Sequence, residues 1–266
     1  MSRKLANCLG GSLYLDKEYK DGVDITLPEL FAWADENKTT PKTSAPSMED
    51  AMNLFQPIID NGDEIIAFSI SDTMSTSGNV MRLAAEEIEA EDKITVIDSM
   101  NLSTGIGLLV CKCAEFVAEG MTRAETVEKI EALRPYVRAS FVVDTLTYLY
   151  RGGRCSGVAA FAGSALKLHP RIEVVDGNMQ PGKKYRGKYS KVVLDYVKDM
   201  EEAMMHADPT RVFITFPGVA KEIEDSVREY VESLNKFNEI CITNAGGTVA
   251  SHCGYGTLGV LFIVEQ

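Results

Sequence analysis

Apolar runs of strand length alternate with amphipathic stretches along most of the chain. EIIAFSI (64–70), KITVIDS (93–99), ASFVVDT (139–145), RVFITF (211–216), EICIT (239–243) and GVLFIVEQ (259–266) are short and rich in β-branched and aromatic residues, the composition of buried strands. Between several of them lie stretches of helical period: NVMRLAAEEIEAE (79–91), GIGLLVCKCAEFVAEG (105–120), TRAETVEKIEALR (122–134), SKVVLDYVKDMEEAMMH (190–206) and VAKEIEDSVREYVESLN (219–235). Strand followed by helix, repeated, predicts an α/β fold with a parallel sheet.

The middle of the chain breaks that rhythm. YLYRGGRCSG (148–157) is followed by a short apolar segment, VAAFAGSALKL (158–168), and then by HPRIEVVDGNMQPGKKYRGK (169–188). Asp176-Gly177, set between two short runs, predicts a tight hairpin turn. An antiparallel insertion at this point implies a second sheet. We place the boundary at 152–157, giving a first α/β domain over 1–155 with a parallel sheet and a second over 156–266 with a mixed or antiparallel one. A chain of 266 residues is long enough for both.

Charge and cysteine usage narrow the partners. A net charge of -12 disfavours nucleic acid and anionic lipid surfaces, and an anionic ligand must be held by local donors. The six cysteines are scattered, without CxxC spacing, which reads as reduced thiols of a cytoplasmic protein. Cys111 and Cys113 fall i, i+2 on a predicted helix and diverge, so no metal site is expected there. No apolar stretch has the ~18 residues of a membrane span, so no stable membrane insertion is expected.

Three loops carry the candidate chemistry. SISDTMSTSGNVMRLAAEE (69–87) places six hydroxyl residues and Asp72 between a predicted strand and helix, where α/β sheets build their sites. A helix cap uses one such residue, so the surplus at Ser71, Thr73, Ser75, Thr76 and Ser77 is open to a ligand or to a polar turn. TTPKTSAPS (39–47) precedes the helix MEDAMNLF. Ser47 with Asp50 is a variant capping box, which leaves Thr43 and Ser44 unexplained between two stiffening prolines. GGTVASHCGYGTLG (246–259) contains a formal GxGxxG, but too little chain follows for a dinucleotide unit. Its glycines suit tight bends beside His252, a lone histidine that on residue type alone is more often a core residue than a functional one. Arg151, Arg154 and Arg186 are the nearest candidates for an anion. No HExxH, Walker A or GxSxG pattern occurs.

Taken in order, EYKDGVDIT (18–26), PKTSAPS, SISDTMSTSGN, VIDSMNLSTGIGLLV (96–110), TLTYLYRGGRCSG, LKLHPRIEVVDGNMQP, KKYRGK and GGTVASHCGYGTLGVLFI (246–263) resemble the DegV family of bacterial fatty-acid-binding proteins. The resemblance implies two α/β domains with an acyl chain between them and its carboxylate on hydroxyls and a histidine. Carried onto this sequence, the carboxylate donors are Ser75 and Thr43 with His252 as partner, and Ser44 and Ser77 as second choices. It further implies a carrier that presents its long-chain fatty acid to a separate fatty acid kinase catalytic subunit, with no cofactor of its own. Arg154 and Arg186 would then meet the partner or the new phosphate. The alternative is an acyl hydrolase or transferase with Ser75 or Ser77 as nucleophile and His252 as base. This sequence departs from the family pattern in three places. It starts about one βα unit late, it has Met74-Ser75-Thr76-Ser77 where Leu-Ser-Gly-Thr is usual, and Tyr255 replaces a proline.

Overall fold

The computed structural model describes residues 11–155 and 168–265. All but the last residue of VAAFAGSALKL, and the end of the expected domain boundary, lie outside them.

The chain opens with a small antiparallel sheet that the apolar pattern did not reveal. Strands β1 (Ser12–Tyr14), β2 (Glu18–Lys20) and β3 (Lys42–Ser44) pair in the order β2-β1-β3 around helix α1 (Leu27–Asn37). Three-residue strands are too short to display alternation, and the tripeptide between Pro41 and Ala45 becomes an edge strand. Helix α2 (Met48–Asp60) starts at the expected capping box, with the Ser47 hydroxyl accepting from the Asp50 N–H at 3.0 Å.

Strands β4 (Ile65–Ser69) and β5 (Ile94–Asp98) form the parallel pair, joined by helix α3 (Ser77–Glu87). Phe55 of α2 and Met81, Ala84 and Ala85 of α3 form the core on one side of that pair. On the other, helices α4 (Thr104–Ala118) and α5 (Arg123–Leu133) bring Leu109 and Ile130 against Ile66 and Phe68.

The second sheet is mixed. It comprises β6 (Val137–Val142), β7 (Leu168–Val175), β8 (Asn178–Arg186), β9 (Arg211–Phe216), β10 (Glu239–Asn244) and β11 (Leu258–Ile263), in the order β10-β9-β11-β6-β7-β8. Only β9 and β10 run parallel among these pairs. Strand β6 precedes the boundary expected at 152–157, yet it is hydrogen-bonded between β7 and β11. Local pattern could not show this, because its partners are contributed by distant segments. The β7–β8 hairpin turns at Asp176-Gly177, both with positive φ of 48° and 76°, as an Asp-Gly turn requires.

Alternation along these strands gives the sheet two apolar faces. Val142, Ile214, Val260 and Phe262 pack against helices α7 (Tyr189–Lys198) and α9 (Lys221–Ser233). The Tyr196 hydroxyl bridges two strands there, donating to Ser140 O at 2.7 Å and accepting from Val260 N at 3.1 Å. The single helix expected over 190–206 is instead two, α7 and α8 (Glu201–Met205). It breaks where Asp199 accepts from the Tyr185 hydroxyl at 2.7 Å and meets the Lys183 ammonium, a tertiary contact overriding local periodicity. The opposite face presents Ala139, Phe213 and Leu261 to α4, and Phe141 to helices α6 (Thr147–Gly152) and α10 (Gly247–Cys253).

Candidate functional site

Helix α10 crosses the small sheet, and its Ala250 packs on Leu13 of β1 and Leu30 of α1. The side chain of His252 is thereby carried to β3, where Nε2 lies 2.9 Å from Thr43 Oγ1. The other ring nitrogen, Nδ1, is buried without a hydrogen-bond partner among the described residues. It faces the backbone of Gly152, where a Cβ would stand 2.4 Å from Nδ1, so residue 152 must lack a side chain. Burial, and then the nearby Arg154 guanidinium, push the imidazole down to about 4, so the ring is neutral at pH 7.

That neutrality sets the direction of the hydrogen bond. Orphaned buried N–H groups are rarer than under-used acceptors, so the proton belongs on Nε2 and a bare lone pair on Nδ1. Nε2–H then donates to Thr43 Oγ1, leaving the Thr43 hydroxyl proton free to point at a ligand.

The hydroxyl-rich stretch after β4 divides its labour. Ser71 and Thr73 bond to each other at 3.1 Å, and the Thr73 hydroxyl donates to Gly177 O at the hairpin tip. This half of the cluster joins the first sheet's loop to the second sheet. Thr76 occupies the cap position of α3 without a side-chain cap bond. The Ser75 hydroxyl instead accepts from Ser77 N at 3.3 Å and lies 2.8 Å from Ser77 Oγ, and both serines are half-buried. Met74 turns the other way, into an apolar cluster with Leu102, Phe141, Leu149 and Cys253.

Met74, next to Ser75, and Cys253, next to His252, both belong to that cluster. Beside it lies a small cavity of about 30 Å³, lined mainly by apolar atoms of Leu102, Ala139, Phe141, Val249, Cys253 and Leu261. No hydrogen bond joins the Ser75–Ser77 pair to the Thr43–His252 pair among the described residues. Ser44 is exposed at the end of β3. Arg154 is exposed, donates to Gly152 O at 2.9 Å, and sits close enough to lower the His252 pKa. Arg186 is exposed at the end of β8 remote from the hairpin tip that meets Thr73.

Two participants were invisible in the sequence. Gly152 supports the imidazole from the RGGR segment, and Asp21 of the EYKDG segment accepts from Gly247 N at 2.7 Å and Thr248 N at 2.8 Å. Asp21 is 226 residues from Gly247, so no local signal links them.

The sequence pattern of the DegV family, described as uncharacterised proteins, matches residues 13–265. The chain belongs to the DegV family. A DegV domain-containing protein of Clostridium acetobutylicum is 32% identical over 250 residues, covering 93% of this chain and 86% of that one. Among solved structures, a fatty-acid-binding DegV family protein from Thermus thermophilus is 27% identical with a TM-score of 0.88, covering 97% of this chain and 91% of its own. The Fatty Acid Kinase (Fak) B3 protein of Streptococcus pneumoniae, solved loaded with linoleic acid, has the same fold at TM-score 0.83 and 20% identity, with 97% and 90% of the two chains covered.

Other sequence features of this DegV chain resolve plainly. The glycine run 254–259 leads into β11 instead of a helix, so it forms no dinucleotide unit. Cys111 and Cys113 lie on α4, and no group of three His, Cys, Asp or Glu side chains could hold a metal among the described residues. No described helix is long and apolar enough to cross a membrane. A serine–histidine hydrolase needs a nucleophile on one ring nitrogen and an orienting group on the other. The described residues put Thr43 on Nε2 and no acceptor on Nδ1, and they pair Ser75 with Ser77.

Proposed function

We propose that this DegV protein is a cytoplasmic carrier that binds a long-chain fatty acid without cofactor and presents its carboxylate to the catalytic subunit of a fatty acid kinase. The observation that carries the reading is the 2.9 Å contact between His252 and Thr43, next to the apolar cluster that holds Cys253 and Met74. Burying each methylene of a tail yields ~0.8 kcal/mol, on the order of 10 kcal/mol gross for a long chain before association costs. A carboxylate drawn out of water with the tail forfeits that gain unless several hydrogen bonds meet it. Thr43 and Ser75 are assigned as its lead donors, His252 as the group that orients Thr43, and Ser44 and Ser77 as further hydroxyls. The Thermus thermophilus relative, solved as a fatty-acid-binding protein, supports the ligand class. Mass spectrometry of the denatured protein purified from bacterial cells should release an acyl chain in stoichiometric yield. No acyl chain, and no uptake of added palmitate or oleate, overturns the reading.

The kinase step is assigned to a partner because the chain has no Walker A pattern, so nucleotide and metal must come from elsewhere. Arg154 is assigned to steady the developing acyl phosphate, since a guanidinium matches phosphate oxygens and its charge reaches His252. Arg186 is the second cation offered to the partner, on a separate surface. Arg154→Ala should bind palmitate like the parent and form acyl phosphate several-fold more slowly with kinase and ATP. Phosphorylation at the parent rate removes Arg154 from this role.

A further inference from the structure

The His252–Thr43 distance depends on where α10 sits, and besides that bond itself the Asp21 carboxylate ties α10 to the segment that follows β2. We infer that Asp21 is the positioning residue of the site: its carboxylate clamps the start of α10 and so holds His252 against Thr43. The inference rests on the proposed carboxylate-binding role of that pair and adds a residue to it.

Three observations converge. First, Asp21 presents both oxygens to consecutive backbone N–H groups, Oδ1 to Gly247 at 2.7 Å and Oδ2 to Thr248 at 2.8 Å. These are orphan donors of a helix start, and charge-assisted bonds to them are stronger than neutral ones. Second, the close approach is built into the residues of the helix start. A Cβ at Gly247 would stand 2.8 Å from Asp21 Oδ1 and 2.7 Å from Leu13 Cδ1, so any other residue there has to displace the carboxylate and the Leu13 side-chain end. Third, Asp21 N is itself tied to Gly11 O at 3.1 Å, next to Ser12, which pairs with Ser44 beside Thr43. The clamp therefore runs from β3 through β1 to Asp21 and α10, and returns to β3 through His252.

A helix of this length, Gly247–Cys253, has little intrinsic stability, so its orientation is set by such tertiary ties. Its apolar contacts, through Ala250 on the small sheet and through Val249 and Cys253 toward α6, are non-directional. The bidentate carboxylate fixes one end, and the Gly152 backbone limits the ring at the other.

The test compares Asp21→Asn, His252→Ala and the double variant with the parent. Asn keeps the shape and one acceptor but turns an N–H₂ toward a backbone N–H. In ligand-free protein, the His252 side-chain nitrogen resonances should move in Asp21→Asn toward those of a solvent-averaged imidazole. This readout does not depend on any fatty acid, so it survives if the carrier reading fails. Palmitate affinity should fall about five- to tenfold in Asp21→Asn, while adding that change to His252→Ala should cost almost nothing further, because coupled residues are non-additive. If Asp21→Asn does not fold, Asp21→Glu carries the same test, with the carboxylate retained but displaced by one methylene and a smaller change expected. Unchanged imidazole resonances in the folded variant overturn the inference. So does an affinity loss of the same size in the parent and His252→Ala backgrounds, which would make Asp21 a general fold residue.

Discussion

Thr43→Val is expected to weaken palmitate binding by roughly 10- to 100-fold and to lower thermal stability modestly. The substitution preserves shape and β-branching, and β3 is a short strand in which Val is as well suited as Thr. What it removes is one hydroxyl. A hydrogen bond to a charged group contributes about 1.5–3 kcal/mol, and every 1.4 kcal/mol is tenfold in affinity, which sets the range. The loss has a second component, because His252 Nε2 gives its proton to Thr43 and would then face a methyl group. Its Nδ1 is already unpartnered among the described residues, so the ring would be left with no hydrogen bond to them. Thr43→Ser should retain most of the affinity, since it keeps the hydroxyl that receives from histidine and donates onward. Titration calorimetry with palmitate separates these outcomes. If Thr43→Val binds like the parent, the carboxylate does not rest on this pair. Ser75→Ala is the milder case, because Ser77 lies 2.8 Å from Ser75 Oγ and can take over part of its role.

The parts of this fold that were legible in the sequence share one property: their cause is local. The runs at 64–70 and 93–99 became β4 and β5 because continuous apolar character marks strands buried on both faces. Asp176-Gly177 announced its hairpin because both residues tolerate positive φ. Ser47 with Asp50 announced its helix through a capping box three residues wide. What stayed hidden was set by distant partners. Nothing in ASFVVDT says that β6 pairs with β11 and β7, and the end of α7 depends on a contact from Asp199 to Tyr185 on another element. The hydroxyl cluster shows the same limit at the level of the site. Six hydroxyls in one stretch left a ligand site and a polar turn equally open. Only the fold shows that Thr73 is spent on the hairpin tip and that Ser75 serves the start of α3. His252 and Thr43 were paired by family resemblance, whereas Asp21 and Gly152, which hold that pair in place, lie in segments that carry the resemblance but were given no role by it.

The neutral imidazole also makes the fold acid-sensitive in a defined window. In the unfolded chain a histidine titrates near 6.5, whereas His252 in the fold is pushed down to about 4, first by burial and then by the Arg154 charge. Between those values the unfolded state binds a proton that the folded state refuses. Stability therefore rises with pH across this window, and it falls as the pH drops from about 6.5 to 4. Above the window both states are neutral, and below it both are charged, so the loss is confined to it. Each pH unit separating the folded from the unfolded titration corresponds to about 1.36 kcal/mol. Reduced for a ring that is only half-buried and partly screened, the expected cost is on the order of 2 kcal/mol. Carboxylates contribute in a different range. At Asp208 burial opposes ionisation, but hydrogen bonds from Lys112 and Thr210 outweigh it and hold the group below the usual carboxylate value, so its contribution is lost only at lower pH. His252→Gln keeps a donor for Thr43 and removes the titrating group. Urea unfolding at several pH values should show the parent losing stability between about pH 6.5 and 4 and His252→Gln losing markedly less. Equal slopes for the two proteins across that range would mean that His252 is not held neutral by its surroundings, and the direction assigned to the Thr43 hydrogen bond would fall with it.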